Sequence, residues 1–168
     1  MTNWNEIFYY KGGILYWKIN PKNNHTKIGD KAGFLPHNGY FQVKFEKITI
    51  NIHRIIYEMF IGEIPMNMEV GHIDGDKQNN QLDNLRLANK SENGRNRGKN
   101  KNNRSGFKGI WRRKNSSKYV ASIKIEGKKI NLGDFENPLD AAKAYDDAAM
   151  KYHGEFAKTN KMLGLLDD

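Results

Sequence analysis

Between Trp4 and Gly62 apolar and polar positions first alternate in short bursts and then change period. "ILYWKI" (14–19) and "YFQVKF" (40–45) place every second residue on one face, the pattern of half-buried strands. Glycine-containing turns at "KGG", "KAG" and "HNG" separate these runs. "INIHRIIYEMFIG" then brings Ile52, Ile55, Ile56, Met59 and Phe60 to helical spacing, with Gly62 as the stop. His53 lies inside this run without an acidic residue close by, and reads as a helix-packing or phosphate-facing histidine.

The pattern then turns polar. "VGHI" (70–73) has strand character, "DGDKQNN" is turn-like, and "NLRLA" returns as a second strand. "NKSEN" opens a helix, with Asn89 as cap and Glu92 completing a capping-box pattern. "NGRNRGKNKNNRS" is basic and almost free of apolar side chains, so it cannot bury enough surface to fold alone and reads as a linker. Beyond it, "KGIWRR", "KYVASIKIEG" and "KKINLGDF" read as three strands, with a hairpin turn at Gly127. A helix follows, capped by Asn137, started by Pro138 and complemented at its dipole by Asp140. Leu139, Ala142, Tyr145, Ala149 and Tyr152 are expected on one face, and Gly154 ends it. Tyr119, Phe135, Tyr145 and Tyr152 read as core aromatics.

With 168 residues and a hydrophobic fraction of 38%, the chain has room for one ordinary domain or two small ones. Cysteine is absent, which excludes disulfides and thiolate-bound zinc and fits a reducing cytoplasm. "MTNWNEIFYYKGG" has no signal-peptide pattern, and no stretch approaches the roughly 18 consecutive apolar residues of a membrane span. A soluble, cytoplasmic protein is expected. The net charge of +9 is concentrated: Arg86 to Lys129 holds fifteen Lys and Arg against Glu92 and Glu126, so the rest of the chain is net −4. Charge this asymmetric points to a polyanion, nucleic acid above all.

The acidic and amide groups gather around one imidazole. His72, Asn84 and Asn93 follow at spacings of twelve and nine residues, and a strand, turn, strand and helix would bring them together. Hydrolysing a phosphodiester requires an activated water and charge stabilisation at the phosphate and leaving oxygen. A neutral imidazole suits the first task near neutral pH, and carboxylate or amide oxygens suit a hard cation. A calcium loop starting at Asp74 would want glycine at its sixth position and glutamate at its twelfth, where Asn79 and Leu85 stand. Asp76, Asn79 and Asn80 individually read as turn residues.

His72, "DNLR" (83–86) and "SEN" (91–93) resemble the HNH endonuclease motif in its phage and homing-endonuclease form. The resemblance implies a ββα-metal fold in which His72 is the general base, Asn84 braces the loop and orients the imidazole, and Asn93 is a metal ligand. It implies a divalent cation, Mg2+ first and Mn2+ second. The "IHRIIYEMFIGEIP" run also resembles what leads into this motif. One position departs. The family usually carries an aspartate before the histidine as second ligand, and this chain has Gly71. Asp74 is the substitute ligand expected, on the argument that strand parity puts it on the face of His72.

Ser105 to Asn160 resembles the AP2/ERF DNA-binding domain, through "KGI", "KYVASIK", "NLGDF", "AAKAYDDAA" and "GEFAKTN" in order. The resemblance implies a three-stranded sheet lying in the major groove with a helix behind it. Carried over, the groove-facing candidates are Lys108, Trp111, Arg113, Lys118, Lys124, Lys129 and Asn131. For Trp111, sheet packing is an equal alternative. Alternation puts Ser122 and Lys124 on one face and Ile123 and Ile125 on the other. Arg95, Arg97, Lys99, Lys101 and Arg104 would follow a groove as a flexible basic strand, and Arg86 would hold a neighbouring phosphate or form an ion pair.

The fold class expected is therefore α+β. A strand and helix region at 1–65 leads into a ββα motif at 66–98, a basic linker at 99–104, an AP2/ERF-like domain at 105–160 and a tail at 161–168. The function expected is a metal-dependent, site-selective endonuclease acting on double-stranded DNA, as a monomer that nicks one strand or a dimer that cuts both. The alternative, favoured by Gly71, is a sequence-selective DNA-binding protein on an inactive nuclease scaffold. RNA binding is a third and weaker reading.

Overall fold

A computed structural model describes residues 2–21 and 25–166. The chain divides into two compact units, Met1–Lys90 and Ser91–Asp168. In the first, a one-turn helix α1 (Trp4–Ile7) leads into the antiparallel hairpin β1 (Phe8–Lys11) and β2 (Ile14–Trp17). A second hairpin, β3 (Gln42–Phe45) and β4 (Ile48–Asn51), runs directly into helix α2 (Ile52–Phe60). A third pairs β5 (Glu69–His72) with β6 (Leu85–Ala88).

The change of period at Ile52 builds the core. Ile52, Ile55 and Ile56 are buried with Phe8, Leu15, Trp17, Val43, Val70 and Leu85, so α2 is the body on which the hairpins close. Full burial of such side chains is worth about 1.5–3 kcal/mol each. Met59 packs at the edge of this cluster. Phe60 does not share the buried face. It lies on the last turn of α2, 49% exposed, with its ring edge-on to Tyr10.

One residue after β6, α3 (Lys90–Arg95) opens at the boundary and continues into the second unit. The antiparallel sheet β7 (Ile110–Arg112), β8 (Tyr119–Ile125) and β9 (Lys128–Phe135) is packed on α4 (Pro138–His153). Asn137 caps α4 as expected, its side chain accepting from the Leu139 N–H. The buried stripe is Ala141, Ala142, Tyr145, Ala148 and Ala149. Leu139 is exposed, because a two-residue offset from Ala141 turns it about 200° around the helix axis. Tyr152 is also exposed, on the final turn, where its ring takes the Lys151 ammonium rather than the sheet. Small side chains let the sheet approach closely. At Gly109 (φ +78°) even a methyl group would collide with the Tyr145 ring. A bulge at Ala121/Ser122 buries two consecutive residues, Val120 and Ala121, and resets the alternation that follows.

Candidate active site and nucleic-acid interface

β5 ends at His72, and the chain then turns through residues 73–81 before a 3-10 turn (Leu82–Asn84) feeds β6. Asn84 organises that loop. Its Oδ1 accepts from the Asp74 N–H at 3.0 Å, while its Nδ2 donates to Asp74 Oδ1 at 2.9 Å and to the Asn79 carbonyl at 2.8 Å. Asp74 Oδ1 also takes the Asp76 N–H, and Oδ2 takes the Asn79 amide at 2.7 Å. Burial alone would push the Asp74 carboxyl up. The hydrogen bonds from Asn79, Asn84 and Asp76, with His72 nearby, outweigh it and hold the group below its ordinary value. Asp74 is thus an ionised carboxylate at neutral pH, a hard oxygen donor of the chemistry a magnesium-like cation requires. It lies in the turn, not on the strand, so parity with His72 does not govern where it points.

His72 is 6% exposed. Its Nε2 lies 3.0 Å from Oδ1 of Asn80, itself 2% exposed. Asn80 is therefore one side chain on the imidazole, whereas Asn84 braces the loop that carries Asn80. Sequence reasoning read Asn80 as a turn residue, and an asparagine in a polar turn offered no signal to the contrary. The other neighbour missed is His53. Its ring packs edge-on against His72 with centroids 4.8 Å apart, and Tyr40 lies 5.3 Å from His53 and 6.0 Å from His72. His53 is buried, its Nδ1 has no hydrogen-bond partner, and its pKa falls to about 3 through burial, then repulsion from His72 and Arg54. Gly71 pairs with Arg86 across the hairpin and presents no side-chain oxygen. Among the described residues no group of three or more His, Cys, Asp or Glu converges as metal ligands do.

Asn93 lies in α3, and Arg95 ends that helix. Arg97, Lys99, Lys101 and Arg104 are exposed on the segment that follows. Its far end is tied to the sheet: Asn103 Nδ2 donates to the carbonyls of Phe107 and Ile110, and Ser105 Oγ donates to the Ile110 carbonyl. Asn100, Asn102 and Arg104 thereby line one concave surface with Trp111, Arg113 and Lys129. Trp111 is 40% exposed and carries the Lys129 ammonium 4.9 Å from its ring centroid, so it faces outward rather than into the core. Arg113 pairs with Asp134 at 3.0 Å and Lys118 with Glu136 at 3.1 Å, both exposed. Lys124 and Asn131 are exposed as well, and Asn131 Oδ1 accepts from the Gly133 N–H.

Lys108 is placed differently from the other groove-facing candidates. Its ammonium donates to the carbonyls of Arg95 and Lys158, and burial, then repulsion from Lys158, lowers its pKa to about 8. A second knot that sequence reasoning passed over is Asn160, fully buried. It bridges the Lys108 backbone and the Asp146 carboxylate, joining the end of the 105–160 segment to the residues before β7 and to α4.

Residues 51–95 match a protein-family model described as HNH endonuclease. Over 56 residues the chain is 43% identical to an ethylene-responsive transcription factor of Arabidopsis thaliana. That match covers 32% of this chain and only 30% of the plant protein, so the chain spans less than a third of that relative's length. No solved structure matches the chain significantly. Among the described residues no helix is long and apolar enough to cross a membrane. The chain thus carries a segment similar to HNH endonucleases, which includes the buried His72, and a 56-residue stretch similar to an ethylene-responsive transcription factor.

Proposed function

We propose that the protein is a metal-dependent, site-selective endonuclease of the homing type, hydrolysing phosphodiester bonds in double-stranded DNA. The observation that carries the reading is the seating of His72: buried at the end of β5, held by Asn80, inside the segment that matches the HNH endonuclease model. The 3.0 Å contact of Nε2 with Asn80 Oδ1 fixes how the ring sits, and a tautomer with its proton on Nε2 makes that contact a hydrogen bond. In the proposed reaction His72 removes a proton from water as the water oxygen attacks phosphorus and the bond to the 3′ oxygen breaks. Asp74 is the proposed protein ligand for Mg2+ or Mn2+ in this loop, and Asn93 is a proposed ligand on the sequence resemblance alone. When bound, that cation supplies positive charge against the departing 3′ oxygen. A set this small would leave the remaining coordination to water, which magnesium accepts.

The basic segment from Arg95 to Arg104 and the face bearing Trp111, Arg113, Lys118, Lys124, Lys129 and Asn131 are the proposed DNA contacts. Joining a reader to a cutter raises the local concentration of the cutter at one site. The test is nicking of supercoiled plasmid and of linear duplex, in Mg2+ or Mn2+ against EDTA, with His72→Ala as the control. Cleavage that needs the cation and His72 supports the reading. Cleavage retained by His72→Ala refutes it. Gly71 favours a second reading, a DNA-binding protein on an inactive scaffold, which would retain duplex binding and show no cleavage under any cation.

A further inference from the structure

The loop that holds His72 does not stand alone: the N-terminal hairpin, which lies outside the residues matched by the endonuclease model, grips it at two points. Gly12 and Gly13, both with positive φ, make the two-residue turn between β1 and β2. At Gly13 a Cβ would stand 3.2 Å from the Asn80 carbonyl carbon and 3.3 Å from the Gln81 nitrogen, so the turn abuts the loop backbone beside the side chain that holds the imidazole. Three residues earlier, on β1, the Tyr10 hydroxyl accepts the Leu82 N–H at 3.2 Å. Residues 80–82 thus receive a steric stop and a hydrogen bond from one hairpin. The concavity they share is lined by Gly12, Gly13, Asn79, Asn80 and Gln81.

We infer that the β1–β2 hairpin is a positioning clamp for the His72 imidazole, acting through Asn80, with Tyr10 and Gly13 as its contact points. The physical need follows from the loop's composition. Residues 73–81 contain no buried apolar side chain, so hydrophobic packing cannot fix where Asn80 stands. A side-chain amide sets a tautomer only if its oxygen is held towards the ring, and a displacement of about 1 Å at a catalytic group can cost a hundredfold in rate. The hairpin supplies the rigidity. Its strands carry the stacked pair Tyr9 and Tyr16 on one face, with centroids 4.9 Å apart, and the buried Phe8, Leu15 and Trp17 on the other. The inference rests on the proposed role of His72 as the base, and its test is chosen to stand apart from activity.

The experiment compares Tyr10→Phe, Asn80→Ala and, as a matched control on the same strand, Tyr9→Phe in the full chain. Tyr10→Phe keeps the ring that meets Phe60 and removes only the oxygen that accepts from Leu82. Ring-nitrogen NMR of His72 at a fixed neutral pH reads the tautomer, and nicking at saturating and limiting duplex separates kcat from KM. The clamp predicts an Nε2–H signature in the wild type and in Tyr9→Phe. Asn80→Ala should show mixed tautomers, and Tyr10→Phe a shift in the same direction, with kcat down three- to tenfold and KM unchanged. His72 signals left at wild-type positions by Tyr10→Phe, or moved equally by Tyr9→Phe, overturn the clamp. A tautomer shift in Tyr10→Phe with no cleavage by any form supports the clamp while refuting the nuclease reading.

Discussion

Asn84 and Asp74 hold each other twice: the amide nitrogen of Asn84 donates to the Asp74 carboxylate at 2.9 Å, and its oxygen takes the Asp74 backbone N–H at 3.0 Å. The same amide reaches the Asn79 carbonyl, so one buried side chain closes the loop between His72 and β6. Removing one partner of a buried hydrogen bond costs about 1–3 kcal/mol, because the others lose it without regaining water. Asn84→Ala is expected to lower the thermal midpoint of the first unit and to abolish nicking. Asn84→Asp, which sets a second carboxylate against Asp74, should do so more severely. Thermal melts followed by tryptophan fluorescence, with Trp4 and Trp17 reporting on this unit, measure the first effect.

His72→Ala is expected to separate chemistry from binding. A positioned general base contributes roughly a hundredfold to ten-thousandfold in rate. The variant should lose nicking by at least that lower factor while its duplex affinity, read by gel shift at fixed salt, stays within about twofold. A parallel loss of affinity would mean that His72 serves the fold or the DNA contact instead.

Gly71→Asp tests what the departure from the usual motif costs. Position 71 pairs with Arg86 on β6 and directly precedes His72. A carboxylate there adds a hard oxygen donor to a set that otherwise depends on Asp74 and Asn93. The expected outcome is faster nicking and a lower Mg2+ concentration for half-maximal rate, measured by cation titration of plasmid nicking. An unchanged midpoint would show that glycine takes nothing from cation binding.

β2, β3, β5 to β9, α2, α4 and the capping Asn137 were legible because each follows from local period or local chemistry, whereas β1 and β4, the partners that complete the first two hairpins, were not singled out. The imidazole's partner was not. Asn79 and Asn80 are adjacent and chemically identical, yet Asn79 spends its amide on Asp74 while Asn80 turns inward to His72. Only the three-dimensional course of the loop distinguishes them. The contacts of His53 with His72 and of Tyr10 with Leu82 join residues far apart in sequence, and no periodicity encodes those. Lys108 teaches the same lesson at the sheet, since a lysine beside a strand reads as a DNA contact until the carbonyls of Arg95 and Lys158 are seen around it.

The buried His53 gives the fold an acid sensitivity with a definite sign. In the unfolded chain it takes a proton near its ordinary value of 6.5, whereas the folded protein resists protonation until about 3. Between those values the unfolded state binds more protons, so stability is fully present above pH 6.5 and is lost as pH falls towards 3. His153, also lowered by burial, acts with the same sign. Thermal midpoints should therefore fall between pH 7 and pH 5, and His53→Phe should reduce that slope without abolishing it. A slope unchanged in the variant would place the sensitivity elsewhere.

The salt dependence of duplex binding tests which cations on the sheet meet phosphate. Each neutralised phosphate contributes about 0.9 to the slope of log affinity against log salt. Lys129 has no carboxylate partner among the described ion pairs and stands over Trp111, so Lys129→Ala should reduce the slope by about one. Arg113 starts from a different state, because Asp134 holds it at 3.0 Å in the absence of DNA. A phosphate must replace that carboxylate, and the exchange returns little of the energy of a new contact. Arg113→Ala should therefore weaken binding less than Lys129→Ala. Asp134→Asn should tighten it, by releasing the guanidinium and removing a negative charge from the face. Fluorescence anisotropy with the full chain and a labelled duplex, from 50 to 200 mM salt, measures all three. A slope untouched by Lys129→Ala, with Asp134→Asn neutral, would move the DNA off this face.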